Sequence, residues 1–138
     1  MILLAEQNNI TRRNTKQRAL ILEIVRSRCD HPTADEIYSD VRRQDPKISR
    51  GTVYRNLNFL AEIGEVNHIR VPAADRFDLR TDLHYHIMCT ECGAVTDVPI
   101  PYSEENDKKA EESTGFKVNR HRGVFEGICP ECLKAQWA

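Results

Sequence analysis

Four of the five cysteines fall in two pairs of the same spacing, Cys89-Thr-Glu-Cys92 and Cys129-Pro-Glu-Cys132. A CxxC turn aims two thiolates to one side, and two such turns supply the four sulfurs that Zn²⁺ binds tetrahedrally. Gly93 permits the tight turn after the first pair. The 36 residues between the pairs are more than a compact finger uses. They suit a small sheet whose beginning and end are pinned together. The redox alternative is a thioredoxin-like dithiol, but two pairs in one apolar-poor segment point to structural zinc. Cys29 has no such partner. Beside an apolar helix face it reads as a small buried hydrophobe.

A second group of potential ligands contains no sulfur. His84-Tyr85-His86 puts two imidazoles on one face of a strand, because side chains alternate with period two. Asp97 lies on the following strand, Asp78 closes an earlier one, and His31 opens a helix. Singly, each has an ordinary alternative: His31 as a helix N-terminal contact, Asp97 as a solvated carboxylate. Together, His31, Asp78, His84, His86 and Asp97 make a nitrogen-and-oxygen set suited to Fe²⁺ or Mn²⁺, with Zn²⁺ a competitor on affinity alone. His31 and Asp78 precede residue 80 and the other three follow it. One ion held by all five would fix the angle between two domains, a bistable arrangement biased by a ligand.

The elements that carry these residues follow from apolar spacing. Leu20, Ile21, Ile24 and Val25 mark one face of a helix capped at Thr15. Thr33 with Glu36 forms a capping box for a second helix, which Asp45-Pro46 closes. A third helix starts at Ser49 and runs to Ile63, burying Val53, Leu57 and Leu60, with Gly64 just past its end. Val66–Val71 and Arg76–Leu79 read as two strands. Three helices and a two-stranded ribbon make a winged helix-turn-helix. Beyond a hinge at 81–83, strands are expected at His84–Met88, Ala94–Val98, Phe116–Asn119 and Val124–Ile128, with a helix at Glu104–Ser113. The fold class is α+β: a winged-helix DNA-binding domain over 1–80, then a small α/β dimerisation domain over 84–138 carrying the four-cysteine zinc site.

The 138 residues fit one ordinary domain or two small ones. A domain of about 60 residues buries only about 60% of its unfolded surface and usually needs a metal or a partner. The net charge of −1 is uninformative. Its distribution is not: residues 10–72 carry 12 Lys/Arg against 8 Asp/Glu, and residues 83–138 carry 6 against 9. The polyanion is expected on the first half. No stretch approaches the roughly 20 apolar residues that span a bilayer, and Met1–Asn9 lacks the pattern of a signal peptide. A cytoplasmic location and no membrane partner are expected. The sequence offers no activated nucleophile beside a base and no phosphate loop. It therefore reads as a non-enzyme, with no small organic ligand expected.

Over nearly its whole length the chain resembles the ferric uptake regulator family. The resemblance is carried by His31-Pro-Thr-Ala-Asp-Glu-Ile-Tyr38, Gly51-Thr-Val-Tyr-Arg-Asn-Leu57, Arg76-Phe-Asp78, His84-Tyr-His-Ile-Met-Cys-Thr-Glu-Cys-Gly93 and Cys129-Pro-Glu-Cys132. The HYH triplet and Asp97 make it most similar to the peroxide-sensing branch. The resemblance implies structural zinc on the four cysteines and a regulatory Fe²⁺ or Mn²⁺ on His31, Asp78, His84, His86 and Asp97. It also implies that peroxide acting at bound Fe²⁺ oxidises His31 or His84, loosening the ion and releasing DNA. A further metal site of some iron-responsive members is not expected, because Leu83 and Tyr85 occupy its positions and only Glu104 and His121 remain.

In a winged helix the N-terminal end of the third helix enters the major groove. Ser49, Arg50 and Thr52 can meet phosphates or base edges, Tyr54 a thymine methyl, and Arg55 phosphate or guanine. Arg13 matches a family position that tends to carry a cation near the minor groove. A homodimer reading a palindromic double-stranded operator follows, since one helix contacts too few bases. The expected function is a metal-dependent transcriptional repressor that senses peroxide. Two alternatives are an iron- or zinc-responsive regulator of the same family and a zinc-binding adaptor without DNA binding.

Overall fold

The computed structural model describes residues 4–137, and side chains over residues 15–136. The chain divides into two compact units, Met1–Thr81 and Asp82–Ala138. The fold is α+β.

The first unit runs α1 (Leu4–Ser27), α2 (Ala34–Gln44), α3 (Arg50–Glu62), β1 (Asn67–Ile69) and β2 (Arg76–Asp78). Helix α1 does not begin at Thr15. It starts eleven residues earlier, because Asn8, Asn9, Thr11 and Asn14 are weak helix formers but not breakers, and the propensity cost is small beside propagation. The apolar stripes meet as expected: Ile21, Ile24 and Val25 of α1 pack with Ile37 and Val41 of α2 and with Val53, Leu57 and Leu60 of α3. Val66 and Phe77 close this core from the β1–β2 side.

Helix α2 starts on the capping box seen in the sequence. The Thr33 hydroxyl accepts from the Glu36 N–H, and the Glu36 carboxylate accepts from the Thr33 N–H. Replacing Thr33 by alanine leaves the Glu36 N–H without this acceptor and should cost about 1 kcal/mol of stability. Urea unfolding monitored by far-UV circular dichroism checks it, and an unchanged midpoint would show that the cap carries no net energy. Helix α3 is capped at Ser49, whose side chain accepts from the Thr52 N–H. Gly64 follows with φ of 79°, the left-handed conformation glycine adopts at low cost. Strands β1 and β2 pair antiparallel with His68 opposite Phe77. Both are shorter than the alternating runs at 66–71 and 76–79.

The second unit is a three-stranded sheet of order β4-β3-β5 with two helices. Strand β3 (Tyr85–Cys89) is central. It pairs antiparallel with β4 (Val95–Val98) and parallel with β5 (Val124–Gly127). Helix α4 (Glu104–Thr114) lies in the connection between β4 and β5, capped by Ser103 and ended by Gly115 at φ 76°. The run 116–119 is not a strand. Phe116 is highly exposed there, so its alternating composition reflects a surface segment, not a sheet. The chain continues through the second cysteine pair as α5 (Pro130–Trp137), a helix the sequence analysis does not anticipate. Proline at its first position and Glu131 in its first turn are ordinary N-terminal signals. Among the described residues no helix is long and apolar enough to cross a membrane.

Candidate metal centres and nucleic-acid interface

Strand β3 delivers Cys89, the turn after it delivers Cys92, the junction between β5 and α5 delivers Cys129, and the first turn of α5 delivers Cys132. Their four Sγ atoms lie within 4.8 Å of one another, and Cys92 Sγ is 3.9 Å from Cys129 Sγ. Sulfurs about 2.3 Å from one zinc ion at tetrahedral angles are about 3.8 Å apart, so the cluster has the size zinc requires. The turns also supply backbone donors. Cys89 Sγ accepts from the N–H groups of Glu91 and Cys92 at 3.4 Å and of Cys129 at 3.3 Å. Those bonds stabilise the thiolate: the Cys92 and Cys129 N–H groups lower the Cys89 pKa to about 6. Cys132 goes the other way, to about 12, because its thiol is hydrogen-bonded to Cys129 and desolvated. A divalent ion would draw all four to thiolates.

In the first unit, His31 stands between α1 and α2 with φ of 54°, a left-handed conformation unusual outside glycine. Its carbonyl accepts from Arg76 at 3.1 Å, and the next carbonyl, that of Pro32, accepts from the Phe77 N–H at 2.9 Å. These bonds tie the α1–α2 corner to β2. They bring His31 Nε2 to 3.4 Å from Asp78 Oδ2, with both residues buried. Asp78 Oδ1 accepts from the Arg80 N–H at 3.0 Å. A buried carboxylate beside a buried imidazole is costly unless a proton or cation lies between them.

In the second unit, His86 and Asp97 face each other across the β3–β4 register. His84, one residue before β3, reaches the same place. Nε2 of His84 and Nε2 of His86 each lie 3.2 Å from Asp97 Oδ1, and the two rings are 4.4 Å apart between centroids. Ligands about 2.1 Å from one ion and at right angles are about 3.0 Å apart. His84 Nδ1 is 2.7 Å from the Asp82 carbonyl. A carbonyl only accepts, so Nδ1 donates to it, and Nε2 is the ring atom directed at Asp97. A second partner that anchors the ring in this way is the usual support of a metal-bound histidine.

The residues read from the sequence as DNA contacts line the start of α3. Ser49 Oγ is 2.8 Å from Thr52 Oγ1, and Arg55 donates to that same Thr52 oxygen at 3.2 Å. Tyr54 donates to Asp35 of α2 at 2.8 Å, and Arg50 pairs with the same carboxylate. All but the half-buried Thr52 are exposed, and none interrupts the buried stripe. Arg13 lies outside the described side chains. Sequence reasoning missed Asp35, which looked like an ordinary first-turn acid. It also missed Asn56, which is buried in α3, accepts from Arg18 at 3.0 Å and donates to the Thr52 carbonyl at 2.9 Å. An asparagine on an apolar face is the only sequence signal it leaves.

Residues 9–125 match the Ferric uptake regulator family. The chain belongs to that family. It is 41% identical to the peroxide operon regulator of Bacillus subtilis (strain 168) over 90% of this chain and 86% of the relative. It is 40% identical to the peroxide-responsive repressor PerR of Staphylococcus aureus (strain USA300), covering 87% of this chain and 82% of the relative. Its fold is similar to the crystal structure of the Campylobacter jejuni peroxide stress regulator. There the TM-score is 0.76 and the identity 31%, over 96% of this chain and all of that one.

The geometry of this family member also clarifies His121, Cys29 and His68. Both ring nitrogens of His121 are used within the second unit. Nδ1 is 2.6 Å from Asp107 and Nε2 is 2.7 Å from the Tyr85 hydroxyl. The Tyr85 oxygen also accepts from the Ser103 N–H at 3.0 Å. Tyr102 stacks on the His121 ring and donates to Asp107. Those donors hold the Asp107 carboxyl below the usual range, Tyr102 contributing most. His121 therefore fastens α4 to β3, while Glu104 is exposed on α4. The close packing extends to Gly123, where a Cβ would come within 2.6 Å of the Tyr85 ring. Cys29 departs from its sequence reading. It is exposed just past the end of α1, because the helix ends before its apolar face reaches that position. His68, without a role in the sequence, stacks on Phe77 and contacts Asp75 at 2.8 Å, bracing the β1–β2 ribbon.

Proposed function

We propose that this protein is a metal-dependent, DNA-binding transcriptional repressor that senses peroxide, not an enzyme. The observation that carries this reading is the pair of sulfur-free donor sets, His31 with Asp78 in one unit and His84, His86 and Asp97 in the other. Two or three ligands alone underfill the coordination shell of Fe²⁺ or Mn²⁺, which take about six in oxygen-rich sites. On this reading one ion takes all five ligands, nearly filling the shell, and metal occupancy is thereby coupled to the α3 reading heads. Family membership, and the names carried by the relatives described above, support the same assignment.

On this reading, Cys89, Cys92, Cys129 and Cys132 hold structural Zn²⁺. Ferrous iron, when bound, would activate peroxide for O–O cleavage, one oxygen entering a ligand imidazole, which is oxidised by two electrons, and the other leaving as water. The chain's own part is to hold imidazole nitrogens in place and to lose that grip when an imidazole is oxidised. His31, with its constrained backbone, and His84, with Nδ1 anchored on the Asp82 carbonyl, are the residues proposed to be oxidised. The domain roles follow: residues 1–80 bind DNA, 81–83 form the hinge and 84–138 dimerise. Arg13, Ser49, Arg50, Thr52, Tyr54 and Arg55 face a palindromic operator in the cytoplasm.

A homodimer is supported by the second unit's surface. Strand β5 is an edge strand, and Val124, Phe125, Ile128 and Leu133 on and after it are exposed. An unpaired edge flanked by exposed apolar side chains is a pairing surface.

The test is a mobility-shift titration on operator DNA with Mn²⁺ or Fe²⁺ loaded, before and after low peroxide. Peroxide is expected to abolish the Fe²⁺-dependent shift, to spare the Mn²⁺-dependent one, and to add one oxygen to the peptide carrying His31 or His84. Equal sensitivity of the two metal forms, with no mass change, would instead indicate a plain iron-responsive regulator.

A further inference from the structure

The groups at the start of α3 that would meet DNA are not idle in the free protein. Arg50 and Tyr54 both bind Asp35, in the first turn of α2. The Arg50 guanidinium also lies over the Tyr38 ring, 4.8 Å from its centroid. Both are long side chains on one face of α3, and both are drawn to a single carboxylate oxygen, Oδ1. Hydrogen bonding to Asp35 also makes the Tyr54 hydroxyl harder to ionise. A second acid, Asp75, lines a cavity of about 280 Å³ together with Asp35 and Tyr54. It is already engaged by His68 and by the Val71 N–H, which leaves Asp35 as the acid on Arg50.

A carboxylate and a phosphate are rival acceptors for one guanidinium. Resting on the reading of α3 as the DNA-reading helix, we propose that Asp35 is a specificity-determining residue. It acts as an internal anion that withholds Arg50 from random phosphates and yields where base contacts are gained as well. The strength of the pair suits such a role. Side chains of Arg50 and Asp35 are 59% and 64% exposed, and exposed ion pairs shift equilibria by only a few-fold. Competition at that level trims sequence-independent binding, to which each phosphate contact contributes, without blocking a site that adds base contacts. Tyr54 adds to the effect because it must leave the same oxygen to reach a base edge.

The experiment uses the full chain loaded with zinc and Mn²⁺, and a fluorescent mixed-sequence duplex of roughly thirty base pairs, titrated from about 50 to 200 mM KCl. Asp35→Asn keeps the size and removes the charge. It should tighten binding to this duplex about threefold per protomer, or on the order of tenfold for a dimer. It should also steepen the slope of log affinity against log salt by about 0.9 per protomer, one added phosphate contact. Asp35→Ser, which also suits a helix first turn, should do the same.

In an Arg50→Ala background the substitution should change affinity by less than about twofold, since no guanidinium remains to be released. Unchanged affinity and slope in Asp35→Asn would overturn the proposal. So would equal tightening with and without Arg50, which would mean that Asp35 acts only as diffuse negative charge. If the parent protein fails to bind duplex at low salt with Mn²⁺ present, the reading of α3 fails and this inference with it. Binding by the parent that is indifferent to Asp35 overturns the inference alone.

Discussion

Cys92→Ser protein should contain no stoichiometric zinc and should lose the fold of its C-terminal unit. That unit has little else to hold it together. Among the described residues its buried apolar side chains are Tyr85, Met88, Cys89 and Val95, helix α4 has no buried residue, and β5 is exposed along most of its length. A closed four-thiolate site contributes on the order of 10 kcal/mol of coupled folding energy, more than such a core provides. Serine offers a neutral, hard hydroxyl where the ion needs a soft thiolate. The three remaining sulfurs then crowd one another without a cation to hold them. The proposed dimer surface on β5 should go with the sheet, since β5 is joined to the cysteine cluster through Gly127, whose carbonyl accepts from the Thr90 N–H at 2.7 Å. Elemental analysis, circular dichroism and sedimentation velocity read the three consequences separately. A zinc-free variant that still sediments as a folded dimer would remove the staple from this account.

His86→Ala should have the opposite signature: zinc retained, fold retained, metal response lost. The imidazole is buried, yet it projects from a face of the sheet, and the ladder is made by backbone groups, so removing it leaves the ladder intact. What disappears is one of the two nitrogens held 3.2 Å from Asp97 Oδ1. Even partners one step removed from a metal are worth 10–100-fold in affinity, so loss of a direct ligand should weaken Mn²⁺ binding by at least about 100-fold. Operator affinity with Mn²⁺ should then fall to its metal-free value, because an ion can shift DNA binding only by its differential affinity for the two states. His84→Ala should behave likewise. Isothermal titration with Mn²⁺ and mobility shifts with and without the ion check it. Parent-like, Mn²⁺-dependent operator binding by both variants would reject the regulatory site.

Much of this was legible in the residues. The capping box at Thr33, the Gly64 terminus and the stripe of Val53, Leu57 and Leu60 are local rules, set within a few residues along the chain, and the structure obeys them. The cysteine spacing carried its own meaning, because a CxxC turn dictates where two thiolates point. The pairing of His86 with Asp97 was legible for the same kind of reason: strand alternation fixes the face, and a short β3–β4 turn fixes the register. Composition misled at 116–119, where alternation had no neighbouring strand to pair with, and at Cys29, where the helix ended too early to bury it. Helix α5 was missed because eight residues carry too little periodicity to stand above the CxxC they contain.

The sequence by itself determined which atoms this protein can offer a metal and a duplex, and which short segments present them, since those follow from bond geometry and near-neighbour spacing. Only the tertiary structure decided which of those atoms were already taken. His121 is consumed by Tyr85 and Asp107, and Arg50 and Tyr54 share Asp35, through contacts between residues 14 to 36 positions apart. Such contacts depend on how helices and strands pack, a many-body outcome that no local pattern in the chain encodes.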